Sequence, residues 1–389
     1  MSTIFSDGDV VLSQSYPVAH SEREHPETKV ADAAQQLDLR PGEWVEVRSE
    51  SEILATLDHE GRLDGLPFMP EMLSHCGRRY EVFKRADKTC DTITWTGLRR
   101  MERTVHLKML RCDGAAHGGC QAGCLMFWNE AWLRRAPAGG TNGQPGHVEE
   151  TRIAAEIGVT ADARSTGNGE ASPNRDRAWL EATVYRVSPD EGETAYRCQA
   201  TELVKASLPL RWWEPKQYVR DVCMNQVPLG EVIRGVAIAA FSKVHRRLTG
   251  RSFPSVAGPL KKTPIESLDL QAGEWVIVKS KDEILATLDG NGRNRGMTFD
   301  AEMLPYCGKR FRVLRRVERI VQETTGRLIE LGGIAVILEN VVCTSRYRRS
   351  CPRSIYSYWR EIWLRRADPD ETPDKAIRAG EAPAEPSRG

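Results

Sequence analysis

The sequence predicts an α+β chain, mainly β, built from two repeated small β-barrel domains of SH3-like type that are joined by a segment carrying one long amphipathic helix. Three observations predict it. The stretch GEWVEVRSESEILATLD from Gly42 returns as GEWVIVKSKDEILATLD from Gly273, 231 residues later, and the same offset aligns MLSHCGRRYEV with MLPYCGKRFRV and FWNEAWLRRA with YWREIWLRRA without a gap. So long a period excludes a solenoid unit, and each repeat of roughly 100 residues must bury its own core. Within each repeat, short runs of alternating apolar and polar residues are bounded by glycines, as in small antiparallel sheets. Only residues 228–251 keep apolar side chains at helical spacing over many turns.

In chain order, residues 1–36 are polar with no sustained apolar period and read as a disordered leader. The first repeat spans 37–136. Trp44, Val45 and Val47 make a strand, and Ser49 with Glu52 is a capping box that opens a short helix over 51–57; Ser280 and Glu283 repeat the box. Gly61 and Gly65 turn the chain before PFMPEML, and further strands are predicted over 79–84, 104–111 and 125–134. Residues 137–176, rich in Gly, Ala, Ser, Thr and Pro, read as a flexible linker with a helical turn at 148–157. In the middle segment, 177–264, residues 178–186 and 196–203 read as strands. Residues 228–251 read as a helix whose Val232, Ile233, Val236, Ala240, Phe241 and Val244 pack against one or both repeats, with a basic last turn. The second repeat spans 265–367, and the Pro, Ala and Glu-rich tail, 368–389, reads as disordered.

Composition narrows the function. The chain has 389 residues, 40% of them hydrophobic, enough for real cores. Its 55 Lys+Arg against 54 Asp+Glu give a net charge of +1, which excludes an overall pull towards nucleic acid or an anionic membrane. Local basic clusters (Arg78, Arg79, Lys84, Arg85, Lys88, Arg99, Arg100 and Arg103, then Lys309, Arg310, Arg312, Arg315, Arg316 and Arg319) leave nucleic acid open as a partner, against the alternative of solvated charges on strand edges. No apolar run approaches the ~20 residues that span a bilayer, and MSTIFSDGDVVLSQ has no basic start or long apolar stretch. A cytoplasmic location without a membrane partner is the expectation. There the ten cysteines serve as reduced thiols and metal ligands.

The most specific stretch is CDGAAHGGCQAGC. Cys112, His117, Cys120 and Cys124 are separated by four, two and three residues, so one glycine-rich loop can bring a full tetrahedral donor set onto one ion. Cys90, in ADKTCDT, is a fifth candidate. Three Cys and one His close a structural zinc site; with Cys90 in place of His117, four thiolates suit zinc or an iron–sulfur cluster equally. His117 with only two cysteines leaves a position open for water or substrate, as catalysis needs. Zinc is the preferred ion, with an iron–sulfur cluster or iron as the alternative. In the second repeat His117 becomes Arg348, Cys124 becomes Ile355 and Cys90 becomes Val321, while Cys343 and Cys351 stay. That repeat reads as degenerate, the other option being that Cys343 and Cys351 are redox-active or complete a site with Cys198 or Cys223.

Blander roles cover the other candidates. His106 aligns with Ile337, which marks a buried face, so it reads as core or as support behind the ligands. Cys76 and Cys307 read as buried thiols at a turn. The pairs Trp128 with Trp132 and Trp359 with Trp363 read as core. No P-loop, GxGxxG, HExxH or GxSxG motif is present.

The loop CDGAAHGGCQAGC, with LPFMPEML, FWNEAWLRR and CPRSIYSYWREIWLRR, resembles a family of bacterial, actinobacterial-type hypothetical proteins with a duplicated domain, over most of 37–136 and 179–367. The resemblance implies a setting near biosynthetic genes and carries no assigned activity. CDGAAH is also similar in part to the CDGSH signature of a small iron–sulfur family, in which three Cys and one His hold the cluster. The extra residue before His117 and the lack of a preceding CxC pair depart from that signature. Three classes follow as expectations: a metal-dependent enzyme of specialised metabolism acting on a small molecule, a zinc-stabilised module binding nucleic acid or a partner protein, and an accessory to a partner enzyme.

Overall fold

The computed structural model describes residues 37–94, 97–139, 141–145, 175–187, 194–250, 253–254 and 256–367, all within one compact unit. The leader 1–36, most of the linker with its turn at 148–157, and the tail 368–389 lie outside the described residues. Strand exceeds helix, and the sheets are antiparallel.

The first repeat contains β1 (Trp44–Val47), α1 (Glu50–Thr56), β2 (Arg78–Arg85), β3 (Lys88–Cys90), β4 (Leu98–Arg100), β5 (Thr104–Leu107), β6 (Trp128–Asn129) and β7 (Leu133–Arg135). Its main sheet runs β6-β5-β2-β1-β7. The middle segment adds α2 (Arg177–Thr183), β8 (Tyr185–Val187), β9 (Thr194–Tyr196), β10 (Leu208–Leu210), α3 (Pro215–Cys223) and α4 (Leu229–Thr249). The second repeat contains β11 (Trp275–Val278), α5 (Lys281–Leu285), β12 (Arg310–Val321), β13 (Leu328–Val342), β14 (Tyr356–Arg360) and β15 (Leu364–Arg366), with the sheet order β14-β13-β12-β11-β15. Strand follows strand at the 231-residue offset, and so does register: Val45 faces Tyr80 as Val276 faces Phe311.

The expected closed barrels are not seen among the described residues. Each main sheet runs from one edge strand to the other without closing, and a three-residue 3-10 turn (Glu130–Trp132, and again Glu361–Trp363) joins those two edge strands. Trp128 and Trp132 are fully buried and meet Phe68 edge-on; Trp359 and Trp363 meet Phe299 in the same way. Glu130, buried in that turn, accepts from the Leu39 amide at 3.1 Å and from Arg85 Nη1 at 2.8 Å, and Glu361 accepts from the Leu270 amide at 2.8 Å. Each anion is thereby satisfied where water cannot reach it.

Two expectations for the middle segment change. Residues 178–183 are helical because Asp176 accepts from the Trp179 amide at 2.8 Å and caps the turn. Residues 197–206 coil back after β9, held by Thr201 Oγ1 on the Cys198 amide. The long helix α4 forms, but Val232 is its one buried residue and its apolar side remains exposed, with Ile233 61% and Leu248 80% accessible. No helix among the described residues is long and apolar enough to cross a membrane.

The two repeats meet reciprocally. Cys120 Sγ accepts the Val321 amide at 3.3 Å, and Cys351 Sγ accepts the Cys90 amide at 3.1 Å. Cys90 and Val321, like Cys120 and Cys351, are equivalent at the offset, so each repeat lays its loop against the other's sheet. This contact positions the site.

Candidate metal centre

The loop after β5 closes on itself before it meets anything else. The Cys112 amide donates to the Cys124 carbonyl at 2.8 Å, and the His117 and Gly119 amides both donate to the Gly114 carbonyl, at 3.1 and 2.9 Å. Gly114, Gly118, Gly119 and Gly123 all have positive φ, between +62° and +77°. At Gly114 the requirement is absolute, since a Cβ there would lie 1.9 Å from the Cys120 carbonyl oxygen.

Inside the loop, three donors converge. Cys112 Sγ donates to Glu71 Oε1 at 3.1 Å and lies 3.5 Å from His117 Nε2, while His117 Nδ1 lies 3.6 Å from Glu71 Oε1. One ligand atom from each of Glu71, Cys112 and His117 falls within 4.8 Å of the others, and the group could hold a metal ion. Two buried atoms of this group, Glu71 Oε2 and His117 Nδ1, have no hydrogen-bond partner. A buried polar atom left in that state costs ~1–3 kcal/mol, which a cation between the two would recover.

Burial sets the protonation of all three groups. Burial raises the Glu71 carboxyl above the usual range. Burial, then the Glu71 charge, holds the Cys112 thiol far above its ordinary value. Burial drops His117 to about 4, so its imidazole is neutral and free to bind at neutral pH. An oxygen, a sulfur and a nitrogen from three residues make up a mixed donor set.

The remaining predicted ligands are placed differently. Cys120 and Cys124 line the same cavity as Cys112 and His117 without joining the three-donor group. Burial pushes the Cys124 thiol up to about 12. Cys90 sits apart, in a small apolar cluster with Leu98, Leu210 and Cys351, where the Cys351 hydrogen bond brings it down to about 6. His106 is wholly buried, its Nδ1 donating to the Met126 carbonyl at 2.8 Å. Glu71 was not anticipated from the loop, being 41 residues from Cys112. Its signal was the repeat itself, because PEML and AEML keep the acid at Glu71 and Glu302.

The cavity holds about 400 Å³ and lies where the first loop faces the ends of β12 and β13. Its walls are largely apolar: Leu125, Phe127, Ile320, Val321, Ile329 and Ile355. At one side Arg353, 4% exposed, donates to Thr92 Oγ1 at 2.8 Å and pairs with Glu323 at 3.3 Å. Tyr358 stands nearby, and burial keeps its phenol protonated well beyond the ordinary value. A larger cavity of about 880 Å³ beside α3 is lined by Arg85, Lys88 and Arg220, but each is paired, with Asp87, Asp221 and Asp87 respectively. Of the first basic cluster, Arg85, Lys88 and Arg99 are buried rather than displayed to solvent. Comparison of the chain with protein-family models, with curated proteins and with solved structures finds no match.

Proposed function

We propose that the chain is a metal-dependent enzyme in which Glu71, Cys112 and His117 hold one zinc ion whose fourth position faces the cavity of about 400 Å³. The observation that carries this reading is the convergence of three different donors, two of them with buried atoms that lack a hydrogen-bond partner. A thiolate with an imidazole favours zinc over the harder cations that prefer all-oxygen sites. When bound, such an ion supplies Lewis acidity towards water or a carbonyl. Cys112 gives up its proton on loading, and neutral His117 needs to lose none. The apolar wall excludes water, while Tyr358 and the Arg353–Glu323 pair can hold one polar end. The substrate class is therefore a small, mainly apolar molecule with a single carbonyl or ester group, in keeping with specialised metabolism.

The strand order and the 3-10 turn between edge strands support an SH3-like origin for both halves, and a duplication of one domain. All ten cysteines are free thiols, which supports a reducing, cytoplasmic setting. One alternative has its own support. Cys120 and Cys124 share the cavity with Cys112 and His117, and the Val321 amide on the Cys120 sulfur is the kind of bond a thiolate ligand receives. Those four would close a zinc site in a binding module.

Metal analysis with an absorption spectrum, on protein purified without oxygen and without a metal-binding tag, tests the choice. One zinc per chain, lost in Glu71→Gln and kept in Cys120→Ser, is expected, together with chelator-sensitive hydrolysis of 4-nitrophenyl acetate. The opposite pattern of loss would establish the closed set. Iron with sulfide and a brown colour would replace zinc by a cluster.

A further inference from the structure

Cys90 and Cys351 belong to neither the three-donor group nor the cavity wall. They come from different repeats, 261 residues apart, and are both 97% buried among Leu98, Leu210 and Ile355. The Cys90 amide donates to Cys351 Sγ at 3.1 Å. With an N–Cα bond of ~1.46 Å, the Cys351 sulfur lies no farther than about 4.6 Å from Cys90 Cα. The reciprocal contact provides an internal control. There Cys120 meets Val321, so one half-to-half contact carries two sulfurs and the other carries one.

We propose that Cys90 and Cys351 form a modification site, an oxidisable pair that a two-electron oxidant converts into a disulfide tying the two repeats together. With diamide as oxidant, the Cys90 thiolate, its proton released to solvent, adds to one nitrogen of the N=N bond, and the other nitrogen takes up a proton. Cys351 Sγ, releasing its proton to solvent, then attacks the Cys90 sulfur. The S–N bond breaks as the S–S bond forms, and the hydrazine leaves with a second proton. Two thiols have lost two electrons and two protons, and diamide has gained them.

The link has a definite place in the molecule. Arg353 Nη1 bonds both the Cys90 carbonyl, at 3.3 Å, and Thr92 Oγ1, at 2.8 Å. A disulfide two residues away fixes the wall of the cavity on which Arg353 and Thr92 stand, and leaves Glu71, Cys112 and His117 untouched. Oxidation should therefore change access to the cavity without changing metal content.

The test treats the full zinc-loaded chain with diamide, blocks remaining thiols with N-ethylmaleimide in denaturant, and reads non-reducing electrophoresis, linked peptides and zinc. A faster-migrating species that dithiothreitol reverses, a Cys90–Cys351 peptide and unchanged zinc are expected. Cys90→Val copies the mirror contact, so it should fold and lose the fast species; Val321→Cys should gain a second link through Cys120. Recovery of Cys90 and Cys351 as maleimide adducts, a link between other cysteines, or a fast species that persists in Cys90→Val would overturn the proposal. So would a Val321→Cys chain that forms no second link.

Discussion

The same glutamate stands in both repeats, and its surroundings decide what each repeat can bind. In the first, Glu71 faces a thiol and an imidazole, and one of its oxygens has no hydrogen-bond partner. In the second, Glu302 is saturated by its own loop: the Thr344 hydroxyl, the Arg346 amide at 3.1 Å and the Tyr347 amide at 2.7 Å. The equivalent amide in the first loop, that of Ala115, is taken by Asp113 at 2.9 Å. Arg348, in the place of His117, carries its own positive charge and reaches Asp300, which stands where the first repeat has Met69. A guanidinium paired with a carboxylate thus stands where the first repeat has a neutral imidazole. The difference teaches that loop shape is not loop chemistry. Ser345, Arg349, Ser350 and Ser354 keep positive φ at the positions of the four glycines, between +43° and +60°, although left-handed backbone costs such residues ~1–2 kcal/mol each. Ser345 Oγ, bonded to the Cys351 carbonyl at 2.6 Å, helps to hold that strain.

Exchanging the paired residues gives the largest effect. Met69→Asp with His117→Arg should abolish zinc binding and leave the chain folded, because the new pair reproduces an arrangement the second repeat already tolerates. Asp300→Met with Arg348→His should raise zinc from one to two per chain in metal analysis. If the second exchange adds no metal while the first removes it, the saturated carboxylate of Glu302, and not the missing imidazole, is what closes the second repeat.

How far the sequence leads differs between fold and site. The offset, the capping boxes, the buried tryptophan pairs and the loop with its left-handed glycines are all legible, since each is a local pattern or a repetition of one. Glu71 is not, because it sits in a 3-10 turn far along the chain from Cys112, where an acid reads equally well as first-turn charge. Sheet closure is not legible either, since it depends on whether the two edge strands pair with each other. Residues 178–183 alternate like a strand, but the single Asp176 cap outweighs the pattern. The exposure of α4 could not be read, since amphipathic spacing shows that a helix has an apolar side and says nothing of what covers it.

Acid stability sharpens the comparison at a second aligned pair. His106 and Ile337 occupy matching buried positions, and burial drops His106 to about 3 against an ordinary histidine near 6.5. The unfolded chain therefore binds a proton below about pH 6.5 that the folded chain refuses until about pH 3. Stability from this group is full above 6.5 and declines as pH falls through that window. At pH 4.5 the loss is on the order of 2–3 kcal/mol. His106→Ile, which copies the second repeat, should flatten the fall in urea midpoint between pH 7 and pH 4.5 measured on metal-free protein. An unchanged slope would place the acid sensitivity at His75 or His117, both also lowered by burial.

The smallest effect tests whether the halves respond alike where they are built alike. Ser49 and Ser280 cap α1 and α5 with the same box: the Ser49 amide bonds Glu52 at 2.9 Å, and the Ser280 amide bonds Glu283 at 2.8 Å. A tryptophan bonds the last residue of α1 and the turn just after α5, Trp132 on Thr56 and Trp363 on Thr287, both at 3.1 Å. Ser49→Ala and Ser280→Ala should each cost ~1 kcal/mol in denaturant unfolding. Zinc should raise the stability of both variants equally, since the hydrogen bonds of the two boxes reach none of Glu71, Cys112 and His117. Were Ser49→Ala to lose more in the loaded protein than in the metal-free one, α1 would be coupled to the centre. The first repeat would then differ from the second in its framework as well as in its loop.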